Sequence, residues 1–145
     1  SPVGDGLSGT VWDLAWFDDR LIIAGSYLMT TEEGAERWPL VAWDGTSFSE
    51  YGDLTSEGFF EPTTYALYAW RGGLYVSGGF DHAGDVPARF VTWTDGTDWH
   101  PIGGGLDDLT FRITGTEEAI WFAGPYRVAG GKASHGIARL DLPAD

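Results

Sequence analysis

At 145 residues the chain has room for one ordinary domain with a real core, and its 43% apolar content is normal. A net charge of −14, with Lys132 the single lysine beside seven arginines, argues against nucleic acid as a partner, because phosphate binding needs basic patches. With no cysteine there is no disulfide, thiolate nucleophile or Cys-based metal site, and no apolar run approaches the length that spans a bilayer.

Helix formers are thin, while aromatics at 15% and 22 glycines point to short strands joined by tight turns. The chain opens on "SPVGDGL", which reads as the end of one strand leading into the next, and "HPIGGGL" at 100–106 repeats it. Ser1 in place of an initiator Met implies removal of upstream residues or a longer product. Strand A is expected near 11–17, B near 20–25, C near 40–44 and D near 48–52. "FDDR" joins A to B and "WDGTS" joins C to D, with Asp-Gly supplying the positive φ of a tight hairpin.

The pattern then recurs. "WDLAWFDDRLIIAGSY" from Trp12 is matched by "YALYAWRGGLYVSGGF" from Tyr65 and "FRITGTEEAIWFAGPY" from Phe111. Each aromatic is followed at fixed spacing by Leu14, Leu67 or Ile113, then Leu21, Leu74 or Ile120, then Gly25, Gly78 or Gly124. Taking Val41, Val91 and Ile137 as equivalent gives three four-stranded antiparallel repeats, the third lacking its D strand. Four strands at such a period mark the blades of a β-propeller, an all-β fold. Blade 1 is placed at about 7–54, blade 2 at 62–106 and blade 3 at 107–142, with 1–6 a D-strand-like stub, all in a single domain of 145 residues. Phe80, matched by Tyr27 and Tyr126, is expected to anchor the packing of blades, and residues 79–89 to be an architectural loop.

The residues "LYVSGGFDHAGDVPA" at 74–88, then Trp93, Gly96 and Trp99, then "GGGL" at 103–106, resemble the kelch-like β-propeller repeats of large secreted bacterial proteins. The resemblance extends over nearly the whole chain and implies a propeller and an extracellular or cell-surface setting. It departs from the family where an Asn usually precedes strand C: Arg89–Phe90 and His135–Gly136 stand there instead. Copper oxidases on related propellers use a Cys-linked Tyr, which a Cys-free chain lacks.

Two insertions distinguish blade 1, three residues in its B–C loop ("LMTTEEGAERWP") and four in its D–A connection ("LTSEGFFEPTT"). Alternating strand directions bring both to one face, and loops on a rigid scaffold are where binding concentrates. Glu32, Glu33, Arg37, Trp38, Phe59, Phe60 and Glu61 are therefore the candidate binding residues, a mixture suited to a glycan or a protein. The bland alternative has Trp38 and Phe59–Phe60 packed into the blades. Asp81, His82 and Asp85 have metal-ligand chemistry, but three residues in a solvated loop do not make a site, so neither metal nor cofactor is assigned. No nucleophile elbow or spaced Ser–His–Asp set occurs, and no catalytic residue is assigned.

Three blades are too few for a ring. The expectation is a homodimer of six blades, with Ser1–Gly4 of each copy completing the other's third blade, or flanking blades of a longer chain. The expected function is a non-enzymatic interaction or assembly module of a secreted or surface protein. The alternative is a carbohydrate-binding module using the blade 1 loops, and a hydrolase with unidentified paired carboxylates comes third.

Overall fold

A computed structural model describes residues 1–31, 34–58 and 61–141, and of residues 27–31 and 34–36 the backbone alone. The described residues are all-β, without a helix. The first sheet comprises β1 (Ser8–Phe17), β2 (Arg20–Thr31), β3 (Gly34–Arg37), β4 (Leu40–Trp43) and β5 (Phe48–Glu50), in the order β1-β2-β4-β5 with β3 hairpinned onto β2. Beyond β6 (Leu54–Thr55), the second sheet contains β7 (Thr63–Trp70) and β8 (Gly73–Gly79). After the short strands β9 (His82–Ala83) and β10 (Val86–Pro87), it is completed by β11 (Val91–Thr94) and β12 (Trp99–Pro101). The third contains β13 (Arg112–Gly115) and β14 (Ala119–Ala123). The hairpin of β15 (Val128–Ala129) and β16 (Lys132–Ala133) then leads to its last described strand, β17 (Ile137–Asp141). All pairings are antiparallel between neighbours.

The turns follow from local chemistry. Asp18 and Asp19 (φ 53° and 56°), like Arg71 and Gly72 (49° and 76°), take the two left-handed positions that let a two-residue turn match strand twist. The C–D loops are longer than a two-residue hairpin. There Asp44 accepts the Thr46 and Ser47 amides at 2.8 Å, and Asp95 does the same for Thr97 and Asp98. A carboxylate cap therefore organises these loops, beside the positive φ of Gly45 and Gly96.

Pairing corrects the repeat alignment by one residue. Val91 faces Ser77 and Ile137 faces Ala123, whereas the residue facing Ala24 is Leu40. Leu40, not Val41, is the equivalent of Val91 and Ile137. Because side chains alternate, the offset exchanges the two faces of β4. Leu40 and Ala42 enter the core shared with the second sheet, and Val41 and Trp43 join Ile23 on the opposite face. The insertions thus become two residues before β4 and five after it.

The sheets pack in series. Ile22, Ala24, Leu40 and Ala42 meet Leu67, Leu74, Val76 and Phe80 in one core. Ala66, Trp70, Tyr75 and Val91 meet Ile113, Ile120, Phe122 and Tyr126 in the next. Phe80 and Tyr126 are the anchors expected of them, almost fully buried; the Tyr126 hydroxyl, pushed up to about 12 by burial, donates to the Phe122 carbonyl. The third anchor, Tyr27, lies outside the described side chains. At Gly78 and Gly124 a Cβ would collide with the Thr63 and Leu109 carbonyls, so close approach of strands sets the repeated glycine.

Polar threads join the sheets as well. Thr64 Oγ1 donates to the Pro39 carbonyl and accepts the Gly25 amide at 3.1 Å, and Ser77 Oγ donates to the Thr110 carbonyl at 2.8 Å. Residues 79–89, expected to be a loop, contain the β9–β10 hairpin, onto which Leu54 pairs at Ala83. Leu106 pairs likewise with Ala129 of the next hairpin.

Candidate functional site

The two insertions do converge. Arg37, at the end of β3, forms an ion pair through Nε with the Glu61 carboxylate, and its Nη1 donates to Ser26 Oγ at 3.4 Å. Both partners are largely exposed, so the pair adds little stability and presents two charges to solvent. Trp38 goes elsewhere. It is half-buried against Ile23 and Val41, with Leu7, Trp43 and Phe48 around it, and lines a cleft of about 710 Å³ along the Gly4–Ser8 segment. Of the sequence-selected residues, Glu32, Glu33, Phe59 and Phe60 lie outside the described residues.

A second constellation is built from residues that the sequence offered only as repeat markers. Pairing of β1 with β2 slips between Val11 and Asp13, and that of β7 with β8 between Thr64 and Ala66, so Trp12 and Tyr65 occupy bulges. The bulge lets Asp13 turn its carboxylate to the second sheet, where it accepts the Leu67 amide at 2.9 Å. Trp12, Tyr65 and Phe111 then form a row, with ring centroids 5.9 Å and 5.2 Å apart. Together with Arg112 they line a cleft of about 410 Å³. Identical spacing of an aromatic in three repeats was the available signal; nothing in one dimension said that the three rings touch.

The Asp81 region is tied up internally. Burial alone would raise the Asp81 carboxyl, but hydrogen bonds from His82 (2.8 Å) and the Glu57 amide hold it below the usual range, and the same bond raises His82. Asp85 is exposed, and among the described residues no group of three or more His, Asp or Glu is arranged to hold a metal ion. His100 stacks on Trp93 with centroids 4.3 Å apart and bonds Asp95 through Nε2 at 3.0 Å.

The outer face of the first sheet is the largest departure from the repeat. Leu14 is 54% exposed, whereas its equivalents Leu67 and Ile113 are 4% and 9% exposed against the preceding sheet. Trp16 and Trp12 are exposed beside it. On the far side of the third sheet Ile137 is 61% exposed, where Val91 is 1% exposed. Comparison with known proteins finds no matching family model, no matching curated protein and no matching solved structure.

Proposed function

We propose that this chain is a non-enzymatic interaction and assembly module whose three sheets act as propeller blades. One observation carries the reading: apolar positions buried between successive sheets are exposed at both ends of the series, at Leu14 on the first sheet, where Trp16 is exposed beside it, and at Ile137 on the third. Exposed apolar faces of this kind mark association surfaces. Two copies joined first sheet to third sheet at both junctions would make a ring of six blades, within the usual range. The kelch-like resemblance of the repeats extends the proposal to a secreted or cell-surface protein.

Light scattering tests it. The expected molar mass is a multiple of the 15.7 kDa chain, falling to 15.7 kDa with Trp16→Arg. A native protein already at 15.7 kDa at micromolar concentration overturns self-association, leaving flanking blades of a longer chain as the partner. A second reading, carbohydrate binding, is favoured by the Trp12–Tyr65–Phe111 row with Arg112 beside it, since aromatic faces stack on sugars and a guanidinium binds hydroxyls. Glycan-array binding that survives Trp12→Ala removes that reading.

A further inference from the structure

The connector after β5 and the D-strand-like segment before β1 each set a glycine against an aromatic of a C–D hairpin. A Cβ on Gly52, after β5, would meet the indole of Trp99 on β12. A Cβ on Gly4 would lie 2.9 Å from Trp43 and 3.1 Å from Phe48 on β5. Gly4 belongs to a turn closed by the Gly6 amide on the Val3 carbonyl at 3.0 Å. The Gly105 amide on the Ile102 carbonyl, at 2.9 Å, closes the same turn around Gly103. Gly4 and Gly103 share φ values of 53° and 51°.

Gly103 differs in one respect. Among the described residues no atom lies within 4 Å of where its Cβ would be. Gly103 lines a cleft of about 140 Å³ together with Ile102, Leu106, Phe122, Ala138 and Leu140. One wall is β17, which among the described residues pairs with β14 alone and leaves its other edge open. In the second sheet that edge is filled: β12 pairs with β11 from Thr92 to Thr94, and Trp99 lies edge-on to Tyr51 with centroids 6.3 Å apart.

We propose that the open edge of β17 is a strand-accepting site for an extended peptide segment of another molecule, which pairs antiparallel with Ala138–Leu140 and seats one aromatic ring between Gly103 and Leu140. The two filled instances in this chain define the occupant. Main-chain hydrogen bonds supply affinity and the apolar slot selects an indole or phenyl ring, as in strand addition to a sheet edge. The inference rests on the interaction-module reading and names its partner class.

The probe is a fluorescein-labelled peptide of sequence DGTDWHPIG, residues 95–103 of this chain, titrated with the whole protein and read by anisotropy. Saturable binding is expected, weakened about tenfold or more when the peptide's Trp becomes Ala. Hydrogen exchange on the unmodified protein should show added protection at Ala138–Asp141, and Leu140→Arg should abolish binding. Absence of saturable binding, indifference to the Trp→Ala change, or protection appearing on β1 instead would overturn the proposal. Molar mass with and without Trp16→Arg reports the first sheet, so failure here is distinguishable from failure of the assembly reading.

Discussion

Gly52→Ala and Gly103→Ala form a controlled pair. Both glycines have left-handed φ (+74° and +51°), so each substitution incurs the backbone cost of placing a Cβ in that region, about 1–2 kcal/mol. At Gly103 nothing else opposes the new methyl among the described residues, and the loss stops there. At Gly52 the methyl would crowd the Trp99 indole, with Cε2 at 3.0 Å and Nε1 at 3.1 Å. Displacing a half-buried ring adds about 1–3 kcal/mol of overpacking. Gly52→Ala should therefore cost about 2–5 kcal/mol and exceed Gly103→Ala by about 1–3 kcal/mol. Urea unfolding followed by Trp fluorescence measures both, with the midpoint shifted and the slope unchanged. Equal losses would mean that the slot at Gly103 is filled or that Trp99 yields freely, and either result refutes the argument.

Two further expectations concern single groups. Thr64 and Thr110 are repeat equivalents, both fully buried, but Thr64 Oγ1 has two partners and Thr110 Oγ1 has none among the described residues. Thr64→Val should cost about 1–3 kcal/mol by leaving Gly25 N–H and the Pro39 carbonyl unpaired, whereas Thr110→Val should be within about 0.5 kcal/mol of neutral, both read by chemical denaturation. Hydrogen bonds from the Asp98 amide, His100 and the Thr97 amide lower the Asp95 carboxyl to about 2. A carboxyl depressed in the folded state stabilises above its unfolded value of 3.8 and loses that contribution as pH falls through its folded value. The melting difference between the native protein and Asp95→Ala should hence be constant above about pH 4 and shrink steadily toward pH 2. A difference independent of pH over that window would contradict the assignment.

The repeat, the antiparallel order within each sheet and the buried anchors Phe80 and Tyr126 were legible because they depend on local signals. Turn residues fix where strands stop, and identical spacing of Leu14, Leu67 and Ile113 marks equivalent positions. The placement of the insertions on one face was legible too, through the alternation of strand direction, and it brought Arg37 to Glu61. The alignment of strand C was not. "LVAW" and "FVTW" look alike when Val is matched to Val, but register is set by which neighbour each residue hydrogen-bonds, and an offset of one exchanges core for surface.

The tertiary structure alone decided three further matters. Trp38 turned away from Arg37 because Ile23 and Val41 offered it an apolar face, and burial outweighs proximity along the chain. Trp12, Tyr65 and Phe111, more than 45 residues apart in steps along the sequence, touch because two bulges and the serial stacking of sheets bring one end of each A strand together. The open edge of β17 follows the expectation that the third repeat lacks its D strand, but that the slot it leaves lies beside Gly103 is set by packing, since "GGGL" reads as an ordinary connector. Sequence spacing determines what each segment is; only packing determines which faces find a partner, because burial is a property of pairs of surfaces and not of one strand.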